Sequence, residues 1–396
     1  MKQLLSEIRC HLTNDILPFW QNLRDDRLGG YISYVGQDLE KDPLAERGCI
    51  LNSRILWFFS QAAISLKDPS LLPYARHAYD MLCRMTDIKN GGVYWSMHAD
   101  GRVMDSTKHT YNQAFAIYAL STYAKASGCM GALEKALQLF ELIEEKCTDS
   151  LGYLEASTAD WQPESNEKLS ENGVMAEKTM NTLLHVLEAY TELYRISGDA
   201  RVKERLYFIL DVLEKKIYNP LLKRQEVFFD REYNTLIDLH SFGHDIETSW
   251  LADRTLEVLD DADLTARIRP LLMNMACKTR ELAFTDHGFA NEMEAGVIDT
   301  TRIWWVQAEA LVGFLNAFEK TGDATFLENV KTQWQYIKQT IIDPRESSEW
   351  FWCVDEKGVP NPDKPIVEPW KCPYHNGRMA FEVMERMQHA QLSAIE

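Results

Sequence analysis

Three histidines stand beside other polar residues in stretches that are otherwise apolar. His244 lies in Gly243-His244-Asp245-Ile246-Glu247, and His375 in Pro373-Tyr374-His375-Asn376-Gly377-Arg378. His185 follows Asn181 by four residues, which puts both on one face of a helix. Arg54 closes Ile50-Leu51-Asn52-Ser53-Arg54, Tyr111 sits in Lys108-His109-Thr110-Tyr111-Asn112-Gln113, and Glu309 follows Trp304-Trp305. Imidazole titrates near neutrality, so it serves as base or, once protonated, as acid. Two such groups suit removal of a proton beside a carbonyl and its return from the opposite face, which inverts the carbon. The enediolate formed needs positive or hydrogen-bonding neighbours. Arg54 offers the charge, and His185 or Asn181 a donor. Glu247 and Glu309 leave a second reading open, glycoside hydrolysis by two carboxylates about 5–9.5 Å apart. Flat indole faces suit the apolar side of a pyranose, and Trp304, Trp305 and Trp370 are the candidates.

Other chemistries find less support. His240 and His244 are four apart, with Asp245 and Glu247 nearby, but Ser241-Phe242-Gly243 between them reads as a loop, and no H-E-x-x-H motif occurs. No metal is expected. Neither a phosphate-binding G-x-x-x-x-G-K-[ST] loop nor a strand-borne G-x-G-x-x-G is present, which removes nucleotide hydrolysis and nicotinamide chemistry, and a serine hydrolase lacks its G-x-S-x-G elbow. The remaining histidines read as structural (His11, His77, His98, His287, His389) or intermediate (His109, His240).

The charge balance narrows the partners. The 396 residues carry 42 Lys+Arg against 60 Asp+Glu, a net charge of −18, which disfavours nucleic acid and anionic lipid alike. A neutral small-molecule carbohydrate needs no electrostatic steering and remains the expected partner. Glu7, Arg9 and Asp15 interrupt the N-terminal apolar residues, so no signal peptide is expected, and the apolar run Ile55 to Leu66 is too short to span a bilayer. Eight scattered Cys with no C-x-x-C pair suggest reduced thiols and a cytoplasmic setting. A monomer or weak homodimer is expected.

The elements that position these residues repeat. Six glycine- or aromatic-rich patches, at Gly29–Ile32, Gly91–Trp95, Leu151–Leu154, Glu226–Phe229, His287–Ala290 and Glu349–Trp352, recur about every 64 residues. Each of the first five precedes two helices. The first members begin near 48, 107, 174, 245 and 302, and the second near 70, 131, 200, 263 and 324. First members are apolar nearly all round, as in Ile50–Leu66; second members carry a charged face, as in Glu134–Glu145. Ser127-Gly128, Ser197-Gly198-Asp199 and Thr321-Gly322-Asp323 read as the turns within pairs. A helix at about 2–21 and another at about 373–390 lack partners and complete one another. The expected fold is all-α: an (α/α)6 barrel of twelve helices, six inner and six outer, spanning 1–396 as one domain. An open solenoid shares the periodicity, but complementary odd ends favour the ring. The polar residues above then converge at one mouth.

At those residues the chain resembles the acylglucosamine 2-epimerase superfamily, most closely its cellobiose branch. The matching stretches are Ile50-Leu51-Asn52-Ser53-Arg54-Ile55-Leu56-Trp57, His109-Thr110-Tyr111-Asn112-Gln113-Ala114-Phe115, Lys178-Thr179-Met180-Asn181, Gly243-His244-Asp245-Ile246-Glu247, Trp304-Trp305-Val306-Gln307-Ala308-Glu309 and Trp370-Lys371-Cys372-Pro373-Tyr374-His375-Asn376-Gly377-Arg378. The resemblance implies an (α/α)6 barrel, no cofactor, and reversible epimerisation at C2 of the reducing-end glucose of β-1,4-linked disaccharides. It implies His244 and His375 as acid and base, Glu247 raising the basicity of His244, His185 opening the ring beside Asn181, and Arg54 stabilising the enediolate. It implies Tyr111 and Glu309 binding hydroxyls, with Trp304 and Trp370 stacked on the sugar rings. N-acylglucosamine epimerisation and mannose isomerisation are alternatives within the superfamily.

Overall fold

The computed structural model describes the backbone of residues 1–393 and the side chains of residues 1–387. His389 and the last residues of the 1–396 span therefore lie outside what is described below.

The inner helices are Cys49–Ser65 (α2), Thr110–Ser127 (α4), Met180–Ser197 (α6), Phe242–Leu259 (α8), Trp304–Thr321 (α10) and His375–Ser393 (α12). The outer ones are Leu72–Arg84 (α3), Met130–Lys146 (α5), Ala200–Val212 (α7), Ala262–Ala283 (α9) and Ala324–Tyr336 (α11). The first outer helix, α1, begins at Lys2–His11 and continues through a π-turn at Leu12–Ile16 into Leu17–Gln21. Each inner helix packs on the next, and α12 packs on α2, so the inner ring closes. The unpaired ends meet as expected, α1 lying against α12.

Local chemistry accounts for most boundaries. Gly198 ends α6 in the left-handed region at φ 65°, and the Asp199 side chain then accepts from the Arg201 amide to start α7. Between α8 and α9, Asp260 takes the left-handed conformation instead of glycine, and Asp261 caps α9 through the Leu264 amide. The main departure from expectation is α6, which starts at Met180 rather than near 174. Val174-Met175-Ala176 belongs to a loop, pinned where Asn166 donates to the Ala176 carbonyl at 3.1 Å. The Thr179 side chain caps the helix that follows.

The six patches are six short hairpins, each carrying the chain from an outer helix back to the next inner one. Their rungs are Arg24↔Tyr31, Thr86↔Val93, Thr148↔Tyr153, Tyr218↔Gln225, Phe284↔Phe289 and Ile342↔Trp350. The residues just before each inner helix pair with the segment after the following hairpin: Arg47–Gly48 with Ser96–Met97, Lys108–His109 with Ala156–Ser157, Lys178–Thr179 with Phe228–Phe229, Leu239–Ser241 with Glu292–Glu294, and Arg302–Ile303 with Cys353–Val354. The sixth instance, Val367 with Val35, joins the last repeat to the first. Ion pairs with a buried cation repeat as well, Arg47–Asp25, Lys108–Asp87 and Lys178–Asp149 at 2.6–2.9 Å. Each ties the approach to an inner helix to the preceding hairpin.

Glu349 is the clasp. Its carboxylate accepts from Trp20 Nε1 on α1 at 3.3 Å, Lys371 Nζ at 2.8 Å and Asn376 Nδ2 on α12 at 2.5 Å. Lys371 is buried, so loss of the carboxylate strands a cation. Glu349→Ala is expected to lower the free energy of unfolding by about 3–5 kcal/mol in urea titration. A change below about 1 kcal/mol would mean the ends are held by something else.

Candidate active site

In a ring of parallel inner helices, residues at the same depth from the N-terminus share a layer. Arg54, His185, Glu247 and Glu309 are each the sixth residue of their helices. Tyr111, Asn181, Trp304, Trp305, His244 and His375 lie in the first three positions. Nine of the ten candidates from the sequence line one cavity of about 300 Å³ at that end of the barrel: Arg54, Tyr111, Asn181, His185, His244, Glu247, Trp304, Trp370 and His375. Glu309 does not; it is fully buried behind His375.

All three histidines are held by Nδ1. His244 Nδ1 meets Ser241 Oγ at 2.7 Å, His375 Nδ1 meets Glu309 Oε1 at 2.8 Å, and His185 Nδ1 meets Glu188 Oε2 at 2.9 Å. Nε2 of each is left without a protein partner among the described residues. The Trp305 indole packs on both His244 and His375, with ring centroids 4.8 and 5.4 Å apart. Glycines admit this packing. A Cβ on Gly243 would stand 2.5 Å from the Trp305 ring, and one on Gly377 2.6 Å from the Phe58 ring. Burial, with His185 adding like charge, pushes the His244 imidazole down to about 3, and burial facing Arg378 and Arg54 holds His375 well below the usual histidine range. Both rings are therefore neutral at rest near pH 7.

Arg378 lies beneath the histidines. Its guanidinium donates to Glu188 Oε1 at 2.5 Å, to Glu309 Oε1 at 2.7 Å and to Glu247 Oε1, and stacks over the Tyr374 and Trp250 rings. Tyr374 also donates to Glu188 Oε2 at 2.5 Å, and Trp250 Nε1 to Glu309 Oε2 at 2.9 Å. Against the cost of burial, Arg378 and the His185 hydrogen bond hold Glu188 at about 2. Burial and the neighbouring Glu309 push Glu247 up to about 7, while burial raises Glu309 against the pull of Arg378. Glu247, Glu309 and His375 bring ligand atoms within 4.8 Å of one another, the spacing of a metal site, and the Arg378 guanidinium supplies the positive charge there. Glu247 Oε2 and Asn181 Oδ1 have no protein partner among the described residues.

Aromatic and polar side chains wall the cavity. Arg54 donates to the Tyr111 hydroxyl at 3.0 Å and to the Trp370 carbonyl at 3.1 Å, which fixes the guanidinium at the rim of the layer. Trp370 packs against Tyr111 and Trp95, and Trp304 against Trp352, which also lines the cavity. The loop before α6 crosses the mouth with Lys168, Leu169 and Glu171, and its Asn172 donates to Glu294 at 2.9 Å.

Residues 21–377 match the N-acylglucosamine 2-epimerase (GlcNAc 2-epimerase) family. The chain belongs to this family. It is 48% identical to a cellobiose 2-epimerase of Ruminococcus albus over 97% of this chain and 99% of that protein. It superposes with a TM-score of 0.95 on a sugar epimerase from a ruminal bacterium, at 48% identity over 96% and 98% of the two chains. For the cellobiose 2-epimerase of Bacillus thermoamylovorans the TM-score is 0.94, at 43% identity over 98% and 100%.

Against the roles implied by resemblance to this N-acylglucosamine 2-epimerase family, the geometry makes two corrections. Glu247 does not bond His244; it turns to Arg378, and Ser241, at the helix N-terminus, takes the Nδ1. Glu309 is not placed to bind a hydroxyl, because both its oxygens are spent on His375, Arg378 and Trp250. Its burial also leaves no room for a substrate between Glu247 and Glu309, as a two-carboxylate hydrolase requires. Trp304 is 3% exposed and carries an unpartnered indole N–H, so Trp305 and Trp352 join it in forming that wall. His240 is bound to Asp245 at 2.8 Å, buried outside the cavity, which separates it from His244. Ser241, Glu188 and the hub role of Arg378 were not anticipated. Glu188 is three residues after His185, and that helical spacing was the available signal.

A carboxyl raised to about 7 favours the folded state when protonated, a contribution present at acid pH and lost as pH rises through 7. The Glu247→Gln variant escapes that loss. Its stability relative to wild type is expected to improve between about pH 5 and about pH 8 in urea titrations. A pH-independent difference would place the ionisation elsewhere.

Proposed function

We propose that this protein is a carbohydrate 2-epimerase that interconverts glucose and mannose at the reducing end of β-1,4-linked disaccharides, cellobiose to glucosyl-mannose and lactose to epilactose. The observation that carries this reading is the His244–Trp305–His375 arrangement: two neutral imidazoles, each anchored through Nδ1, each with Nε2 free at one cavity.

The chemistry follows from the groups present. A pyranose must open before its C2–H is acidified by the C1 aldehyde. In this reading His185, fixed by Glu188, moves the proton between ring oxygen and anomeric hydroxyl, while Asn181, whose Oδ1 has no partner among the described residues, accepts a hydrogen bond from O1. One of His244 and His375, both neutral at rest, then takes the C2 proton. The enediolate's negative charge lets the other take up a proton from solvent and deliver it to the opposite face, and the first returns its proton to solvent. The Arg54 guanidinium, held by Tyr111 and Trp370, supplies positive charge to the enediolate oxygens. One proton leaves carbon and one returns, so the step needs no oxidant and no cofactor. Protonation of the same enediolate at C1 yields the ketose, a side reaction open to this site. Trp370 and the Trp304–Trp305–Trp352 wall offer faces for two sugar rings, and disaccharide rather than monosaccharide recognition rests on that pair of walls together with the cellobiose 2-epimerase relatives.

Turnover of cellobiose, N-acetylglucosamine and mannose compared on one preparation tests the substrate class. Cellobiose is expected to give glucosyl-mannose at the highest kcat/KM; faster turnover of either monosaccharide would overturn the disaccharide assignment. His244→Ala and His375→Ala are each expected to lose at least about 100-fold in kcat. Retention of activity by either would remove it from the acid–base role.

A further inference from the structure

Two cavities enter the barrel from opposite ends of the inner helices. The mouth cavity is lined by His185, His375 and Glu247. The second, a narrow one of about 60 Å³, is lined by Trp57, Trp250, Arg254 and Glu385, and at its inner end by Glu188 and Arg378. Glu188 and Arg378 thus form the partition: they touch the rear cavity and not the mouth, yet each bonds a group that does face the mouth. Glu188 holds His185 by Nδ1, and Arg378 bonds Glu247 directly and His375 through Glu309.

We propose that Glu188 and Arg378 are positioning residues for the reaction, acting from behind on the histidine layer without contact to the sugar. This rests on the epimerase reading above. Glu188 fixes the tautomer of His185, its Nδ1 donating and its Nε2 presented to the cavity, as a buried carboxylate does for the imidazole of a catalytic triad. Glu188 is itself held by three partners, with two bonds at Oε2 from His185 and Tyr374 and one at Oε1 from Arg378, so the ring it holds has one orientation. Arg378 spans the three carboxylates from two separate nitrogens, Nη1 to Glu188 and Nη2 to Glu247 and Glu309, a planar reach that the compact lysine ammonium does not match. Glu309 needs that guanidinium to stay fixed against His375, because two carboxylates and no cation would repel across the same space.

The rear cavity supplies the test, since it gives a small cation a path to the Arg378 position. Cellobiose epimerisation is measured for wild type, Glu188→Gln, Arg378→Lys, and Arg378→Ala with and without millimolar guanidinium. Glu188→Gln is expected to lose about 10–100-fold in kcat with KM within about threefold, and ¹⁵N-histidine NMR to show the His185 tautomer signal changed. Arg378→Ala is expected to lose activity and regain part of it with guanidinium; should it not fold, Arg378→Lys is expected to fold with reduced kcat. Wild-type kcat in Glu188→Gln or Arg378→Lys, a loss confined to KM, or a folded Arg378→Ala that guanidinium does not rescue would each overturn the inference. The wild-type run separates the two levels. Product in wild type with undiminished variants sinks the positioning role alone; no product in wild type sinks the epimerase reading and the inference with it.

Discussion

The Arg378 guanidinium sits in the barrel interior, 2% exposed, among Glu188, Glu247 and Glu309. Taking an ion that far from water costs several kcal/mol, offset here by the bonds at Nη1 and Nη2, while Nε has no partner among the described residues. Three carboxylates around one cation leave an excess of negative charge, and the protein resolves it by ionising unequally. Glu188 stays charged, while Glu247 and Glu309 are raised toward neutrality. That division gives each histidine its support. His185 stands on a full carboxylate, His375 on one shared with Arg378, and His244 on a neutral hydroxyl.

Such a network is stable only if the helices bearing it cannot slide. Its members come from α6, α8, α10 and α12, four of the six inner helices, and the ring holds them in one layer. Closure depends on chemistry repeated around the circle: a hairpin after each outer helix, a backbone rung from each inner-helix approach to the next repeat, and a buried lysine or arginine paired with an aspartate in the first three. Val35 and Val367 complete the circle, and Glu349 binds α1 to α12 across it. The aromatic residues divide accordingly. Trp20, Trp250, Trp334 and Trp350 are buried in the frame, while Trp305, Trp352 and Trp370 face the cavity.

Much of this was legible from residue order alone. The six patches, the alternation of all-round apolar and amphipathic helices, and turns such as Ser197-Gly198-Asp199 are local signals, and local signals survive into the fold. The layer of Arg54, His185 and Glu247 was legible because each interrupts an apolar helix near its start. What could not be read is which polar residue bonds which. Glu247 lies three residues after His244 and was the obvious partner, yet Arg378, 131 positions away, claims it. Glu309 looked like a ligand for hydroxyls because nothing in its own helix reveals that His375 will cover it. Pairings across helices depend on the rotation of each helix in the ring, which residue order alone does not set.

The central claim is that two imidazoles at this mouth exchange a proton at C2 of the sugar. Cellobiose incubated with the protein in heavy water tests it most directly, with position-resolved NMR of the recovered disaccharides. Deuterium at C2 of both the glucose- and mannose-ended sugars, and at no other non-exchanging position apart from C1 of any ketose formed, is the predicted result. Product that carries protium at C2, or cellobiose recovered unlabelled and unchanged, would contradict it.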